Sequence, residues 1–482
     1  MDKNLLQKVY DPEAFRKAGH ALVDLLADHL QHVQKRPDEA VIRWEEPQDA
    51  LQYWTDYQAD PQHPEQLFRD ILDKSIHLHH PRYMGHQISV AAPMAALTSL
   101  LDGLLNNGMG VYEMGQAGTA IEKVVVNILN QSIGYPEAAD GVLTSGGTLA
   151  NLTALLCARQ HQSQLDPWKE GSREQFCLLV SEEAHYCVDR AVRIMGWGEE
   201  GIVKVPVDEN FRMRTDLLEK YHREAVAKGK TVVAVVGSAP STATGTYDRL
   251  EEMAAFCQAH GLWFHVDGAH GGAAIFSARY RHLLKGLEQA DSIVIDCHKM
   301  MMTPSVATAL LFKNGAHSHA TFSQKAQYLW SKAEGREWHN LARRTFECTK
   351  LMMSLRFYAL YKLHGAAAFD AFVSKLYDAG RQFARLLAAQ EDFECLLPEP
   401  DANIVCFRYV PSDLAAEQWD ALNAQIRQHL IEQGRFYIVE TKIRGRHYLR
   451  TTIMNPMTDV QDFEELLSCV RLAAVAGPEI PQ

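Results

Sequence analysis

Between residues 141 and 312 seven short apolar runs alternate with stretches of helical periodicity, and that alternation limits the fold more than any other feature. The runs are "GVLTSGG" (141–147), "QFCLLVS" (175–181), "GIVKVPV" (201–207), "TVVAVVGSA" (231–239), "LWFHVDGA" (262–269), "SIVIDCH" (292–298) and "ATALLF" (307–312). Helical stretches such as "TLANLTALLCARQ" and "EEAHYCVDRAVRIMG" separate several of them. Continuous apolar strands alternating with helices predict an α/β fold, with a mainly parallel sheet covered on both faces. Ligands of such sheets collect at the carboxyl ends of the strands. Here three of those ends carry glycines or polar residues: "TSGG", "HVDG" and "IDCHK".

The flanks read differently. Residues 1–80 predict a helical arm. Asp11 caps a helix that opens with Pro12, and Phe15, Ala18, Leu22, Leu25, Leu26 and His29 recur at helical spacing. Polar, proline-containing sequence follows. The arm has too few apolar residues for its own core, so it is expected to pack on something else, such as a second subunit. Residues 81–350 form the large domain. Residues 351–482 predict a small α+β domain, entered through a long helix over 341–365. A helix over 365–390, the strand "NIVCFRYV", the helix "AAEQWDALNAQIRQHLIEQG", the strands "FYIVET" and "HYLRTTIMN", and a last helix from about residue 458 follow.

Bulk properties exclude several functions. Net charge is −12, with no basic block, which argues against nucleic acid or an anionic membrane surface as partner. No apolar run approaches the roughly 20 residues that span a bilayer, and "MDKNLLQKVYDPEAF" lacks a signal-peptide pattern. Nine cysteines without a CxxC pair read as reduced thiols in the cytoplasm. "GWGEEG" (196–201) spells GxGxxG, but it follows a helix and precedes a strand, the reverse of a dinucleotide fingerprint.

Four elements carry chemistry. Lys299 ends a buried strand, where desolvation is expected to lower its pKa and make it a better nucleophile toward an aldehyde. The plainer alternative is a lysine paired with Asp296. Asp267 closes the apolar run "WFHVD" among small residues that leave room for a flat ring. A carboxylate there keeps a pyridine nitrogen protonated, and the ring then acts as an electron sink. Gly147 and Thr148 begin a helix after a strand, a turn that suits a phosphate. His185 sits at the start of another helix and can stack on a ring. Together these groups make a site for pyridoxal phosphate. Lys299 would hold its aldehyde, and His298 would lie near its phosphate. "HVDGAH" also spells the His-x-Asp and His of an iron(II) facial-triad oxygenase, but those sit on small β-barrels.

The combination resembles the group II pyridoxal-phosphate-dependent amino-acid decarboxylases, whose members act on glutamate, cysteine sulfinate, diaminobutyrate or aromatic amino acids. "HPRYMGHQIS" (80–89), "TSGGTLANL", "AHYCVDRAVRIMGWG", "LWFHVDGAHGG", "DCHKM", "FECTKLMMSLRFY" and "YLRTTIMNP" look like family segments in family order. The resemblance implies fold type I, like aspartate aminotransferase, and a homodimer with active sites at the interface. It implies roles for Lys299 (cofactor attachment), Asp267 (ring nitrogen), His185 (stacking), Ala269 (opposite ring face), and Gly147, Thr148, Ser241, Asp296 and His298 (around the phosphate). Gln87 and Arg450 would reach the substrate, a small polar or acidic amino acid such as glutamate, aspartate, cysteine sulfinate or diaminobutyrate. The product is expected to be the amine and CO2; the alternatives are an aromatic substrate or decarboxylation to an aldehyde.

The chain departs from the family in three places. Pro240-Ser241-Thr242 replaces Gly-Thr-Thr, and Asp296-Cys297 replaces Asn-Pro. The stretch 331–344 lacks the loop tyrosine that reprotonates the carbanion in many members, which leaves His339 or Tyr328 as the expected donor.

Overall fold

All seven apolar runs form strands in the computed structural model, which describes residues 3–35, 39–322 and 337–475. They are β1 (Asp140–Thr144), β2 (Phe176–Ser181), β3 (Ile202–Val205), β4 (Thr231–Ser238), β5 (Trp263–Asp267), β6 (Ser292–Asp296) and β7 (Thr308–Phe312). One sheet holds them in the order β1-β7-β6-β5-β4-β2-β3. The β6/β5, β5/β4, β4/β2 and β2/β3 pairs are parallel, and β7 runs antiparallel to both neighbours. Every residue of β2, β6 and β7 is buried, as expected for strands covered on both faces. Because β7 is reversed, Thr308 at its start pairs with both Asp296 and Thr144 at the ends of β6 and β1.

The helix Gly147–Gln162 packs on this sheet through Ala150, Ala154, Ala158 and Leu155, all buried. Small residues let it approach closely. Burying each Val, Leu or Ile side chain of the strands contributes roughly 1.5–3 kcal/mol, so the sheet is a stiff base for whatever its strand ends carry.

The entry to the C-terminal region differs from the sequence expectation. Residues 341–353 do not continue a helix; they form a short 3-10 turn, Leu341–Arg343, and irregular chain. Tertiary partners hold them: Lys350 Nζ donates to Glu122 Oε1 (2.5 Å) and to the Leu143 carbonyl (2.6 Å), and the Met352 amide donates to Asp102 Oδ1 (3.1 Å). The helix begins at Ser354 and runs to Ala388, broken at Gly365. Gly365 has φ 68° and ψ −175°, a conformation essentially restricted to glycine.

Two compact units result. One contains residues 87–385 and 397–405, with the whole seven-stranded sheet; the other contains residues 1–86, 386–396 and 406–482. The N-terminal segment groups with the C-terminal region. The Val41 amide donates to the Gly434 carbonyl (2.8 Å), Met84 to Tyr437 (2.9 Å), and Thr452 to Met84 (2.8 Å). The polar stretch before residue 80 also holds two helices, Pro47–Asp56 and Pro64–Asp73, each opened by its proline. The strands β8 (Phe393–Cys395), β9 (Ile404–Tyr409), β10 (Val439–Ile443) and β11 (Arg446–Thr452) form a second sheet, ordered β10-β11-β9-β8. Among the described residues no helix is long and apolar enough to cross a membrane.

Candidate active site

At the carboxyl ends of β1, β2, β4, β5 and β6 the large unit encloses a cavity of about 200 Å³. That is room for a small molecule, since one water occupies about 30 Å³. Nine residues singled out from the sequence line it: Gly147, Thr148, His185, Ser241, Asp267, Ala269, Asp296, His298 and Lys299. Each follows from its strand. β6 ends at Asp296, and the short helix Cys297–Met300 then delivers His298 and Lys299. β5 ends at Asp267, β2 is followed by His185 as the cap of Tyr186–Ile194, and Ser241 follows β4.

Lys299 Nζ lies 3.0 Å from Asp296 Oδ2. Burial acts to lower the lysine's pKa, but the Asp296 and Asp267 carboxylates outweigh it, and the ammonium is held above its ordinary value. The sequence expectation of a lowered pKa is therefore corrected: burial and the Asp296 partner were legible, the facing Asp267 carboxylate was not. Asp296 is itself buried, which would raise its pKa. Lys299, His298 and the Thr308 hydroxyl (2.5 Å to Oδ1) hold it below the usual carboxylate range. It forms the plainer ion pair foreseen for Lys299, and it lines the cavity as well. A carboxylate in this place has the orienting donor it needs in Thr308.

Asp267 receives the Ala269 amide at Oδ1 (3.2 Å), and the Cys187 thiol lies 3.8 Å from Oδ2. His185 Nδ1 accepts the Cys187 amide (3.3 Å), so the neutral ring carries its proton on Nε2. Burial, opposed by Asp267, lowers the His185 pKa and keeps the ring neutral. Behind the glycine turn runs a buried relay. Asn151 Nδ2 donates to the Gly147 carbonyl (2.9 Å), and Asn151 Oδ1 meets His265 Nε2 (2.8 Å). His265 Nδ1 meets the Ser292 hydroxyl (2.8 Å). Burial drops the His265 pKa to about 4, so it serves as a neutral strut.

Other expected residues lie elsewhere. Gln87 is in the same unit, two residues before Ser89, whose amide donates to the His298 carbonyl (3.0 Å); Gln87 itself does not line the cavity. His339 packs edge-on against Tyr112 (5.5 Å between centroids), outside the cavity lining. Arg450 is on β11 in the other unit. Tyr328 lies outside the described residues. Sequence reasoning missed Asn151, Cys187 and His270 in the lining. Asn151 had a usable signal, one helical turn after Gly147. His270 was offered only as part of the "HVDGAH" oxygenase pattern; its place in the lining depends on Asn403, 2.8 Å from Nε2. Among the described residues His265 and His270 do not gather with Asp267 as possible metal ligands, and the strands form an open α/β sheet instead of a small β-barrel, which removes the oxygenase alternative.

The cavity fits pyridoxal phosphate. Gly146, with φ 111°, makes no side-chain cap to the helix Gly147–Gln162, which leaves first-turn N–H groups for a phosphate. A Cβ on Gly147 would meet both Asp296 oxygens at 3.2 Å, so glycine keeps that approach open. An aldehyde-reactive amine, a carboxylate for a ring nitrogen and a histidine for the ring face share one space.

Comparisons agree with this donor set. Residues 47–410 match the pyridoxal-dependent decarboxylase conserved domain. The chain is 32% identical to the L-aspartate decarboxylase dtxS4 of Metarhizium robertsii, over 73% of this chain and 70% of that one. It is 27% identical to an aromatic-L-amino-acid decarboxylase of Bacillus atrophaeus, over 96% of each. The crystal structure of mouse CSAD superposes with a TM-score of 0.89 at 24% identity, covering 96% of this chain and 99% of that one, and so shares the fold. With domain, fold and cavity chemistry in agreement, the chain belongs to the pyridoxal-dependent decarboxylase family, and it is a carboxy-lyase that uses pyridoxal phosphate to decarboxylate an amino acid.

Proposed function

We propose that the substrate is a small amino acid with an acidic side chain, of the aspartate, glutamate or cysteine-sulfinate type. One observation carries this reading: the Arg450 guanidinium is buried, 7% exposed, and its Nε and Nη2 have no partner among the described residues. Burial lowers its pKa. A guanidinium kept dry and unpaired is costly unless an anion completes it, and a carboxylate matches its fork. Gln87 Nε2 is likewise buried and unpartnered among the described residues, a second donor for an oxygen of the substrate.

Bound in the cavity, pyridoxal phosphate supplies an aldehyde for the substrate amine and a ring that accepts electrons as CO2 departs. Asp267 keeps positive charge at the ring nitrogen. His185, held neutral, and Ala269 would hold the ring between them. Lys299 would hold the aldehyde, and Asp296 keeps the proton on its amine when it is free. The proton for Cα would come from His339 or Tyr328.

CO2 release from purified holoenzyme across the L-amino acids tests the substrate. The acidic members are expected to lead, and Arg450→Met should cut their kcat/KM roughly hundredfold without lowering Tm. Preference for an aromatic substrate would overturn the reading. In the same assay His339→Ala is expected to slow amine formation or raise the aldehyde share; an unchanged rate and ratio would pass the role to Tyr328.

We also propose that the enzyme is a homodimer. Leu5, Leu6 and Val9 of the helix Lys3–Val9 are exposed, as are Leu97, Leu101, Leu104 and Leu105 of the helix Pro93–Leu105. Apolar faces of this kind mark interfaces. Sedimentation equilibrium should give twice the 54.2 kDa chain mass; a monomer at micromolar concentration would refute it.

A further inference from the structure

One cluster in the cavity offers more than the decarboxylation requires. A histidine nitrogen of His185, the Cys187 sulfur and a carboxylate oxygen of Asp267 all lie within 4.8 Å of one another. The sulfur and Asp267 Oδ2 are 3.8 Å apart. Nitrogen, sulfur and oxygen donors in one place suit zinc. Around a tetrahedral zinc such donors sit roughly 3.3–3.7 Å apart, so each has to move by under about 1 Å. We propose that the enzyme without its cofactor binds one zinc ion on His185, Cys187 and Asp267, and that this ion and pyridoxal phosphate exclude one another.

The local structure supports three ligands and an open fourth position. Asp267 Oδ1 is engaged by the Ala269 amide, which orients Oδ2 toward the sulfur. Cys187 and His185 are held near each other by the start of the helix Tyr186–Ile194. The fourth position faces the cavity, where water completes the coordination. Charge balances: the Cys187 thiol gives its proton to solvent on binding, and thiolate plus carboxylate neutralise the dication. Lys299 keeps Asp296 as its own counter-ion at 3.0 Å. The cost is the 3.3 Å bond from the Cys187 amide to His185 Nδ1, which coordination disturbs.

Exclusion rests on the assignment of the same cavity to the cofactor. Asp267 cannot serve a ring nitrogen and a metal together, and His185 cannot both stack and coordinate. Zinc at ten times its dissociation constant therefore weakens cofactor binding about elevenfold.

The test uses full-length enzyme stripped of cofactor and titrated with Co2+, a coloured substitute for zinc. One equivalent is expected to bind, with a near-ultraviolet thiolate-to-cobalt charge-transfer band that zinc abolishes. Cys187→Ser should lose the band, Cys348→Ser, an exposed thiol, should keep it, and pyridoxal phosphate should release the ion. A missing band, a band that survives Cys187→Ser, or an ion that stays bound when the cofactor loads would each overturn the proposal. If Cys187→Ser does not fold, release of the ion by the cofactor decides the matter. Borohydride labelling of Lys299 by the cofactor, followed in the same samples without metal, reports the cofactor assignment separately.

Discussion

Alanine in place of Lys299 lowers kcat/KM for CO2 release by at least about 10³-fold and abolishes borohydride-stable attachment of the cofactor. The cavity lining contains one lysine, and its Nζ is aimed by the helix Cys297–Met300 and by Asp296 at 3.0 Å. Arginine at 299 should not rescue, since a guanidinium is a permanent cation and a poor nucleophile. Removing Lys299 also strands Asp296, a buried carboxylate left with His298 and Thr308. The variant is therefore expected to lose stability at neutral pH, where Asp296 is charged, and to recover it as acid protonates the carboxyl. Activity within tenfold of the parent, or cofactor still trapped on the protein, would sink the assignment of Lys299.

The second large effect belongs to Asp267. Asparagine preserves its size and its bond from the Ala269 amide and removes the charge. Charge aimed at the place where a reaction develops charge is worth about 10²–10³ in kcat, and Asp267→Asn is expected at the upper end. The loss should fall on kcat more than on KM, because the substrate is held by other groups. Asp267 also helps keep Lys299 protonated, so the variant's pH–rate profile should shift its lysine limb downward. A change confined to KM would mean that Asp267 positions substrate instead.

The sheet was legible because all of its strands but the edge strand β3 are buried on both sides. A strand with no solvent face has to be apolar throughout, so seven runs showed plainly, and their carboxyl ends announced Lys299, Asp267 and Gly147. The helix Pro47–Asp56 was not legible, because nearly all of its residues are exposed; Pro64–Asp73 carries an apolar stripe of Leu67, Phe68, Ile71 and Leu72, which the reading of that stretch as polar, proline-containing sequence passed over. Residues 341–353 misled in the opposite sense. Their apolar spacing is helical, but Lys350 is spent on Glu122 and the Met352 amide on Asp102, and these distant partners outweigh local preference.

Residue identity and order alone determined that this chain builds an α/β sheet and which side chains stand at its strand ends, since burial period and glycine turns are local properties. Which charges face one another was decided only in three dimensions. Asp296 is three residues from Lys299 and visible as a partner, but Asp267 is on another strand, and its carboxylate reverses the expected sign of the lysine's pKa shift. The same holds for Cys187, which meets Asp267 across eighty residues of chain. Electrostatic energy depends on separation in space, and folding sets that separation through sheet order.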